Sequence, residues 1–117
     1  FNQAGGGWYA TERTEHTLSV WFWSRGDSRV PADVRENKGS VSPSKWGKPT
    51  AVFVSDSCDI SQKYGPNMFI INLTLCGDWA GSRYPGGKNA CVKHVNENPS
   101  AFNDAYWDIA RLSVYEQ

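Results

Sequence analysis

The sequence has no net charge and no long apolar run. Its 117 residues include twelve Lys or Arg and twelve Asp or Glu, and no run of like charge exceeds two residues. Proteins that bind a phosphate backbone or an anionic membrane concentrate basic residues, so nucleic acid and membranes are not expected as partners. The longest apolar runs, VWFW and AVFV, are far shorter than the roughly 20 residues that a membrane helix needs.

Cysteine and histidine are also scarce. The three cysteines, Cys58, Cys76 and Cys91, lack the Cys-x-x-Cys spacing of zinc and redox sites. They permit one disulfide, in any of three pairings, with one thiol left over. Such a bridge would contribute about 3 to 4 kcal/mol of stability and favours a secreted protein. The two histidines, His16 and His94, lie in polar contexts and are expected at the surface.

Aromatic residues are plentiful, with six Trp, five Tyr and five Phe. The segment WYATERTEHTLSVWFWS predicts a β-hairpin that turns at Glu15 and His16, although Glu-His is a poor tight turn. With Thr14 opposite Thr17, one face of the hairpin pairs Trp8 with Trp23, Ala10 with Trp21, and Glu12 with Ser19. We call this the Trp face. The opposite face, which carries Leu18, Val20 and Phe22, has the pattern of an ordinary core.

The Trp face permits two interpretations. Rings interleaved with polar groups suit a sugar, whose apolar face stacks on an aromatic ring while its hydroxyls need hydrogen bonds. In that interpretation Trp8, Trp21 and Trp23 bind carbohydrate, and Glu12 either accepts a sugar hydrogen bond or remains a solvated charge. The alternative is that the same rings form a second core layer. The sequence favours neither.

Beyond the hairpin, the pattern predicts a long surface connection over residues 25–49 and a short buried strand over 50–54. Residues 68–76, MFIINLTLC, form the clearest predicted strand, in which Asn72 lies on the wetter face and its glycosylation sequon is expected to carry no glycan. Asn98 and Pro99 predict the start of a short helix, and residues 107–115 predict a last strand. The expected fold is all-β: one domain over residues 1–117, an antiparallel β-sandwich with long loops and one short helix.

Four segments in order carry a family resemblance: GGGWYATERTEHTLSVWFWSR, SCDI, INLTLCGDWAG and NENPSAFNDAYWDIARLSVY. Together they resemble the fungal laminarinase branch of glycoside hydrolase family 16, the endo-1,3(4)-β-glucanases. The resemblance covers essentially the whole chain but only the C-terminal part of the family domain, ending at LSVYEQ. It implies a partial concanavalin A-like jelly roll. Because the sequence starts without Met or a signal-like apolar segment, Phe1 is expected to be an artificial or proteolytic start.

The family's catalytic motif, Glu-x-Asp-x-x-Glu, is missing from this sequence. Retaining hydrolysis needs two carboxyl groups roughly 5 to 5.5 Å apart, and Glu12 and Glu15 have the wrong spacing to share a strand face. The resemblance places the Gly-Asp-Trp-Ala-Gly segment at the glucan-binding cleft. It therefore implies that Asp78 and Trp79 contact sugar, and the alternative is a glycine-bounded turn with the Trp ring folded onto the core.

The resemblance also bears on the cysteines and on metal. The family branch usually has a fourth cysteine in the loop where this chain reads YPGGKNAC, which implies a Cys58–Cys91 bridge with Cys76 unpaired. Asp108 occupies the position of an aspartate that helps to bind calcium in many members. The other calcium ligands come from the N-terminal portion, so neither a metal nor a cofactor is expected here.

Three functions remain open. The first is a secreted, noncatalytic protein that recognises β-glucan. The second is the C-terminal chain of a processed endo-1,3(4)-β-glucanase, which is active only with its N-terminal half and whose exposed faces invite a partner or self-association. The third is a secreted defence protein, such as a small nuclease built from Glu12, Arg13, His16 and His94, which the neutral charge disfavours.

Overall fold

The computed structural model describes residues 1–37 and 39–116. The chain divides into two compact units, the first formed by Phe1–Asn67 with the segment from Val114 onward, and the second by Met68–Ser113. The first unit contains β1 (Gly7–Arg13), β2 (Thr17–Ser24), α1 (Ala32–Glu36), β3 (Ala51–Val54) and α2 (Ile60–Lys63). The second contains α3 (Asp78–Arg83) and α4 (Gly87–Glu97). Short 3-10 helices span Asn2–Ala4, Pro43–Lys45 and Pro99–Phe102.

The predicted hairpin and its register are confirmed. Strands β1 and β2 pair with Trp8 opposite Trp23, Ala10 opposite Trp21 and Glu12 opposite Ser19. The Glu15-His16 turn closes because a threonine side chain supplies the missing turn chemistry. The hydroxyl oxygen of Thr14 accepts hydrogen bonds from the backbone N–H groups of His16 at 3.2 Å and Thr17 at 3.0 Å.

Strand β3 completes a three-stranded antiparallel sheet in the order β1-β2-β3. It pairs with the first half of β2, from Thr17 opposite Val54 to Val20 opposite Ala51. The prediction of a strand here is confirmed, but the prediction that it is buried is wrong. As the edge strand it leaves Val52, Phe53 and Val54 about half exposed.

The core of the first unit lies on the Trp face. Trp21 and Trp23 are buried at 4% and 8% exposure, together with Val30. Trp46 meets both rings edge-on, with centroids 5.2 Å and 6.1 Å away. Such edge-to-face pairs stabilise beyond their buried area. The opposite face is the more open one, since Leu18, Val20 and Phe22 are only partly buried and Tyr9 is 69% exposed. The core-layer interpretation therefore describes the Trp face, whereas the opposite face, predicted to be an ordinary core, is only partly covered.

The connection over residues 25–49 packs on the Trp face through Trp46 and is held together by its own hydrogen bonds. One carboxylate, that of Asp33 in α1, accepts hydrogen bonds from the Ser42 N–H at 2.8 Å, the Trp46 indole at 3.0 Å and the Val34 N–H at 3.0 Å. Burial alone would raise the pKa of Asp33, but these hydrogen bonds outweigh it and leave the pKa lowered. The predicted surface connection is therefore a structured cover, although its outer residues are exposed.

The second unit is built around a disulfide and two helices. The bridge joins Cys76, just before α3, to Cys91 in the middle of α4. The prediction of a Cys58–Cys91 bridge is wrong, and Cys58 is a free, exposed cysteine. Consecutive left-handed residues, Gly86 and Gly87 at φ values of 86° and 78°, reverse the chain after α3. This reversal packs α4 against α3 and brings the two cysteines together.

The two strands predicted in this part of the chain do not form. Residues 68–76 and 107–115, all of them described, lie outside strands and helices. Their large hydrophobic side chains are exposed, from 36% at Tyr115 to 84% at Met68. A strand requires a hydrogen-bonded neighbour, and alternation of side chains alone does not supply one. The contact that links the two segments is a hydrogen bond from the Trp107 indole to the Asn72 carbonyl at 2.9 Å.

The helix content exceeds the prediction of one short helix. The described residues contain four α-helices, of which the eleven-residue α4 is the longest. The predicted start at Pro99 is confirmed as a 3-10 helix. However, the Asn98 side chain donates to the His94 carbonyl at the end of α4 instead of capping the new helix. No helix in the described chain is both long and apolar enough to cross a membrane.

Candidate functional site

The candidate site is the α3 segment that the resemblance singles out. Trp79 lies in the first turn of α3 and its side chain is 78% exposed, so the ring is not folded onto the core. Asp78 precedes it, with a fully exposed carboxylate whose Oδ1 lies 2.6 Å from the ammonium of Lys88 in α4. We call Asp78, Trp79 and Lys88 the α3 lip. The α3 lip therefore exposes an indole ring and a carboxylate that is paired with an ammonium group.

The backbone of the α3 lip is held by local contacts. Gly77 enters α3 with a φ of 61°, a left-handed conformation that favours glycine. The Gly81 N–H donates to the Cys76 carbonyl at 2.6 Å, and the Ser82 hydroxyl donates to the Trp79 carbonyl at 2.8 Å. The Cys76–Cys91 disulfide adds a covalent tie to α4. The lip is thus positioned entirely by the second unit.

Such a surface can bind a neutral sugar. An exposed indole offers a flat apolar face for the C–H side of a pyranose, and a carboxylate accepts hydrogen bonds from hydroxyl groups. The lip is open, so it would bury less of a ligand than a closed pocket does, and weak affinity is expected.

The Trp face provides no equivalent platform. Trp21 and Trp23 are buried beneath residues 25–49, and the Trp21 indole donates to the Gly47 carbonyl at 3.1 Å. Their predicted use as open sugar platforms is therefore wrong, and the alternative, a core layer, describes them. Trp8 is partly buried, with the Arg25 guanidinium 4.9 Å from its ring centroid. Glu12 is also partly buried. Sugar binding by Trp8 and Glu12 stays a prediction.

Asn72 is exposed, and its backbone carbonyl accepts the hydrogen bond from the Trp107 indole. It belongs to the same unit as the α3 lip. A sugar contact through its side chain stays a prediction, as does the expectation that its sequon carries no glycan.

The four residues of the nuclease hypothesis have separate surroundings. Arg13 and His16 line a groove of about 530 Å³ beside the hairpin turn, over the buried Ile60. Glu12 does not line this groove, because neighbouring strand residues point to opposite faces. His94 belongs to the second unit, where it is partly buried and its ring stacks on Tyr84 with centroids 5.7 Å apart. His94 is therefore more buried than predicted.

The groove has one perturbed carboxylate nearby, that of Asp59 at the start of α2. The Ser61 hydroxyl and then the Gln62 N–H hydrogen-bond to it and lower its pKa, with a smaller contribution from the charge of His16. This pattern describes a helix cap, since Asp59 is the N-cap residue whose side chain accepts from Gln62. The lowered pKa of Asp59 is therefore that of a helix cap and not the raised pKa of a general acid.

Metal ligands are not grouped in the described residues. No set of three or more His, Cys, Asp or Glu side chains in ranges 1–37 and 39–116 could hold a metal ion. Asp108, the position of the family's calcium-binding aspartate, is exposed. The prediction that this chain binds no metal stays a prediction.

Comparison with known proteins identifies the family. A family model described as the XgeA-like, catalytic GH16 domain matches residues 1–115. The chain therefore belongs to glycoside hydrolase family 16, and the resemblance noted from the sequence is confirmed.

Two curated relatives illustrate the match. An endo-1,3(4)-β-glucanase of Arthroderma benhamiae is 45% identical over 123 residues, which cover all of this chain but 26% of that protein. A probable glycosidase of Schizosaccharomyces pombe is 37% identical, and the match covers 99% of this chain and 27% of that protein. The chain thus spans about a quarter of the length of these relatives.

A solved structure shares the fold. Laminarinase 16A of Phanerochaete chrysosporium, a GH16 enzyme solved with two β-glucans in its donor and acceptor sites, superposes with a TM-score of 0.84 at 47% identity. The superposition covers 94% of this chain and 38% of that one. An antiparallel sheet accompanied by helices is therefore common to both.

Lys88 is the member of the α3 lip that sequence reasoning missed. Its position three residues before Cys91 was the available signal, because a Cys76–Cys91 bridge brings the first turn of α4 beside α3. The prediction that Cys58 was the bridge partner concealed this proximity.

Proposed function

We propose that this chain forms one wall of a β-glucan-binding cleft in a secreted GH16 protein and supplies no catalytic carboxylates of its own. The observation that carries the proposal is that Trp79 and Asp78, consecutive in α3, are both exposed, on a helix whose entry is tied to α4 by a disulfide. In this role Trp79 stacks on a pyranose ring and Asp78 accepts hydroxyl hydrogen bonds.

The relatives support this choice of ligand. One is named an endo-1,3(4)-β-glucanase, and the laminarinase structure contains β-glucans. Because the chain spans about a quarter of the curated relatives, the proposal covers only the glucan-binding wall. A partial jelly roll is the expected frame for that wall, and the disulfide favours an oxidising, extracellular setting.

The noncatalytic part of the proposal rests on the carboxylates present. Glu12 lies within β1 and Glu15 lies in the hairpin turn. The pair is therefore not arranged as two carboxyl groups facing one glycosidic bond from a single strand.

Titration with laminarihexaose, followed by tryptophan fluorescence, tests the proposal. The unmodified chain should show a saturable change, and Trp79→Ala should weaken binding about tenfold or more, since one stacked ring supplies much of a shallow site's affinity. Tyr106→Ala is the matched control, because this ring is also exposed in the same unit. A titration of the unmodified chain without any change, or equal losses in both variants, would contradict the proposal.

A second candidate is an enzyme completed by further polypeptide. The exposed apolar side chains of residues 68–76 and 107–115 favour it, since surfaces of this kind are normally covered by a partner or by more of the same fold. In this version, added GH16 sequence supplies the catalytic strand and the missing strand neighbours. Laminarin hydrolysis should appear only when such a segment is co-expressed. A compact monomer of the 117 residues that binds no hydrophobic dye would contradict this version.

A further inference from the structure

We propose that Lys88 is a positioning residue for glucan binding: it orients the Asp78 carboxylate of the α3 lip. This inference rests on the proposed function and adds a residue from a second helix to the α3 lip. The ammonium of Lys88 donates a hydrogen bond to Oδ1 of Asp78 at 2.6 Å. The second oxygen, Oδ2, then faces solvent and can accept a hydroxyl hydrogen bond from a sugar stacked on the indole.

The position of Lys88 is fixed by the packing of the two helices. Lys88 lies in the first turn of α4, and Asp78 lies in the first turn of α3. A side chain added at the buried Gly81 would approach Cγ of Lys88 to 3.3 Å, so the lysine stem crosses α3 where a glycine makes room. The disulfide at Cys91, one helical turn further along α4, holds this crossing in place.

Stability gives little reason for this ion pair. Both side chains are exposed, at 56% for Lys88 and 99% for Asp78, and exposed ion pairs contribute little to folding stability. A role in sugar binding explains the ion pair better. A fully exposed carboxylate samples several rotamers, and fixing one of them before the ligand arrives removes part of the entropy cost of binding. The lysine therefore acts on affinity and leaves folding nearly unchanged.

The ligand class follows from the charges. Lys88 and Asp78 neutralise each other, so the α3 lip carries an indole face and polar groups but no net charge. A neutral polysaccharide segment such as β-glucan fits this surface better than a uronic-acid polymer, because a carboxylated sugar would meet the exposed Asp78 with like charge. Oligogalacturonate should accordingly bind more weakly than laminarihexaose.

The test compares variants of the full chain by fluorescence titration with laminarihexaose. Lys88→Met keeps the length of the stem and removes the charge, and it should raise Kd about three- to tenfold. Lys88→Arg should restore most of the affinity because it retains a cationic donor. Lys93→Met is the matched control, since Lys93 is an exposed lysine of the same helix, and its Kd should equal that of the unmodified chain.

Repeating the titration at high salt distinguishes a positioning role of Lys88 from a structural defect in the variant. At roughly 1 M NaCl the screening length falls to about 3 Å, so the Kd ratio between Lys88→Met and the unmodified chain should shrink toward one. A constant ratio, with a lowered thermal midpoint, would overturn the inference, as would equal Kd values at low salt. If the unmodified chain binds while Lys88→Met is unchanged, only this inference fails. If the unmodified chain shows no binding, the proposed function and this inference both fail.

Discussion

The Cys76–Cys91 disulfide should account for much of the stability of the second unit. Helices α3 and α4 are short, and few side chains in Met68–Ser113 are buried, Cys91 being one of them. A bridge stabilises chiefly by restricting the unfolded chain, and its effect grows with the loop that it closes. The two cysteines are 15 residues apart, with Cα atoms at 6.0 Å. For a loop of this length the expected contribution is about 3 kcal/mol.

The perturbation is Cys76→Ser, compared with Cys58→Ser. Urea unfolding followed by far-UV circular dichroism should show the free energy of unfolding reduced by about 3 kcal/mol in the first variant. In the second variant it should change by less than about 0.5 kcal/mol, because Cys58 is exposed and unpaired. Since α3 carries the lip, Cys76→Ser should also weaken laminarihexaose binding.

Chemistry on the unreduced protein gives an independent check. Iodoacetamide should label Cys58 alone, and proteolysis without reductant should recover one peptide pair that joins Cys76 to Cys91. Protection of Cys58 from labelling, or a larger destabilisation from Cys58→Ser than from Cys76→Ser, would refute the reasoning. Either result would favour the Cys58–Cys91 bridge that the family resemblance implied.

Two further predictions concern Asp33. Asp33→Ala should destabilise the first unit by about 1 to 3 kcal/mol, because it leaves the N–H groups of Ser42 and Val34 and the Trp46 indole without their acceptor. Urea unfolding followed by tryptophan fluorescence measures this loss. Asp56→Ala, at an exposed position, is the control, and equal effects of the two variants would contradict the role of Asp33. The lowered pKa of Asp33 also predicts that folding stability depends on pH. A carboxyl group whose pKa is lowered by folding stabilises the folded state at pH values above its ordinary pKa of 3.8, and this contribution is lost as the pH falls through the folded pKa. Stability should therefore decline below about pH 4 in the unmodified chain and less steeply in Asp33→Ala, and parallel pH profiles would argue against it.

The hairpin could be predicted in detail because its information is local. Alternation from Trp8 to Trp23 fixes which residues share a face, and a two-residue turn fixes the register. The alternation does not indicate which of the two faces the rest of the chain covers. Leu18 and Phe22 look like core, yet the cover is formed by residues 25–49 through Asp33 and Trp46, which are distant in sequence from the strands.

The disulfide was mispredicted for a different reason. The family pattern suggested that losing a local fourth cysteine would leave Cys76 without a partner. In the structure Gly86 and Gly87 shorten the path from α3 to α4, and Cys76 bonds directly to Cys91. A general pattern of cysteines therefore transferred poorly to this chain.

The strand predictions failed where the alternating pattern required a neighbour that the described chain does not supply. Residues 68–76 have the composition of a strand. Their apolar side chains are of the kind that a sheet normally covers, yet here they are exposed. The α3 lip lies immediately after this segment, yet it depends on other contacts: the disulfide, the Lys88–Asp78 ion pair and the packing of α4 against Gly81. The proposed glucan binding should therefore not depend on the proposed completion of the sheet, and a variant of Trp79 should affect the first without the second.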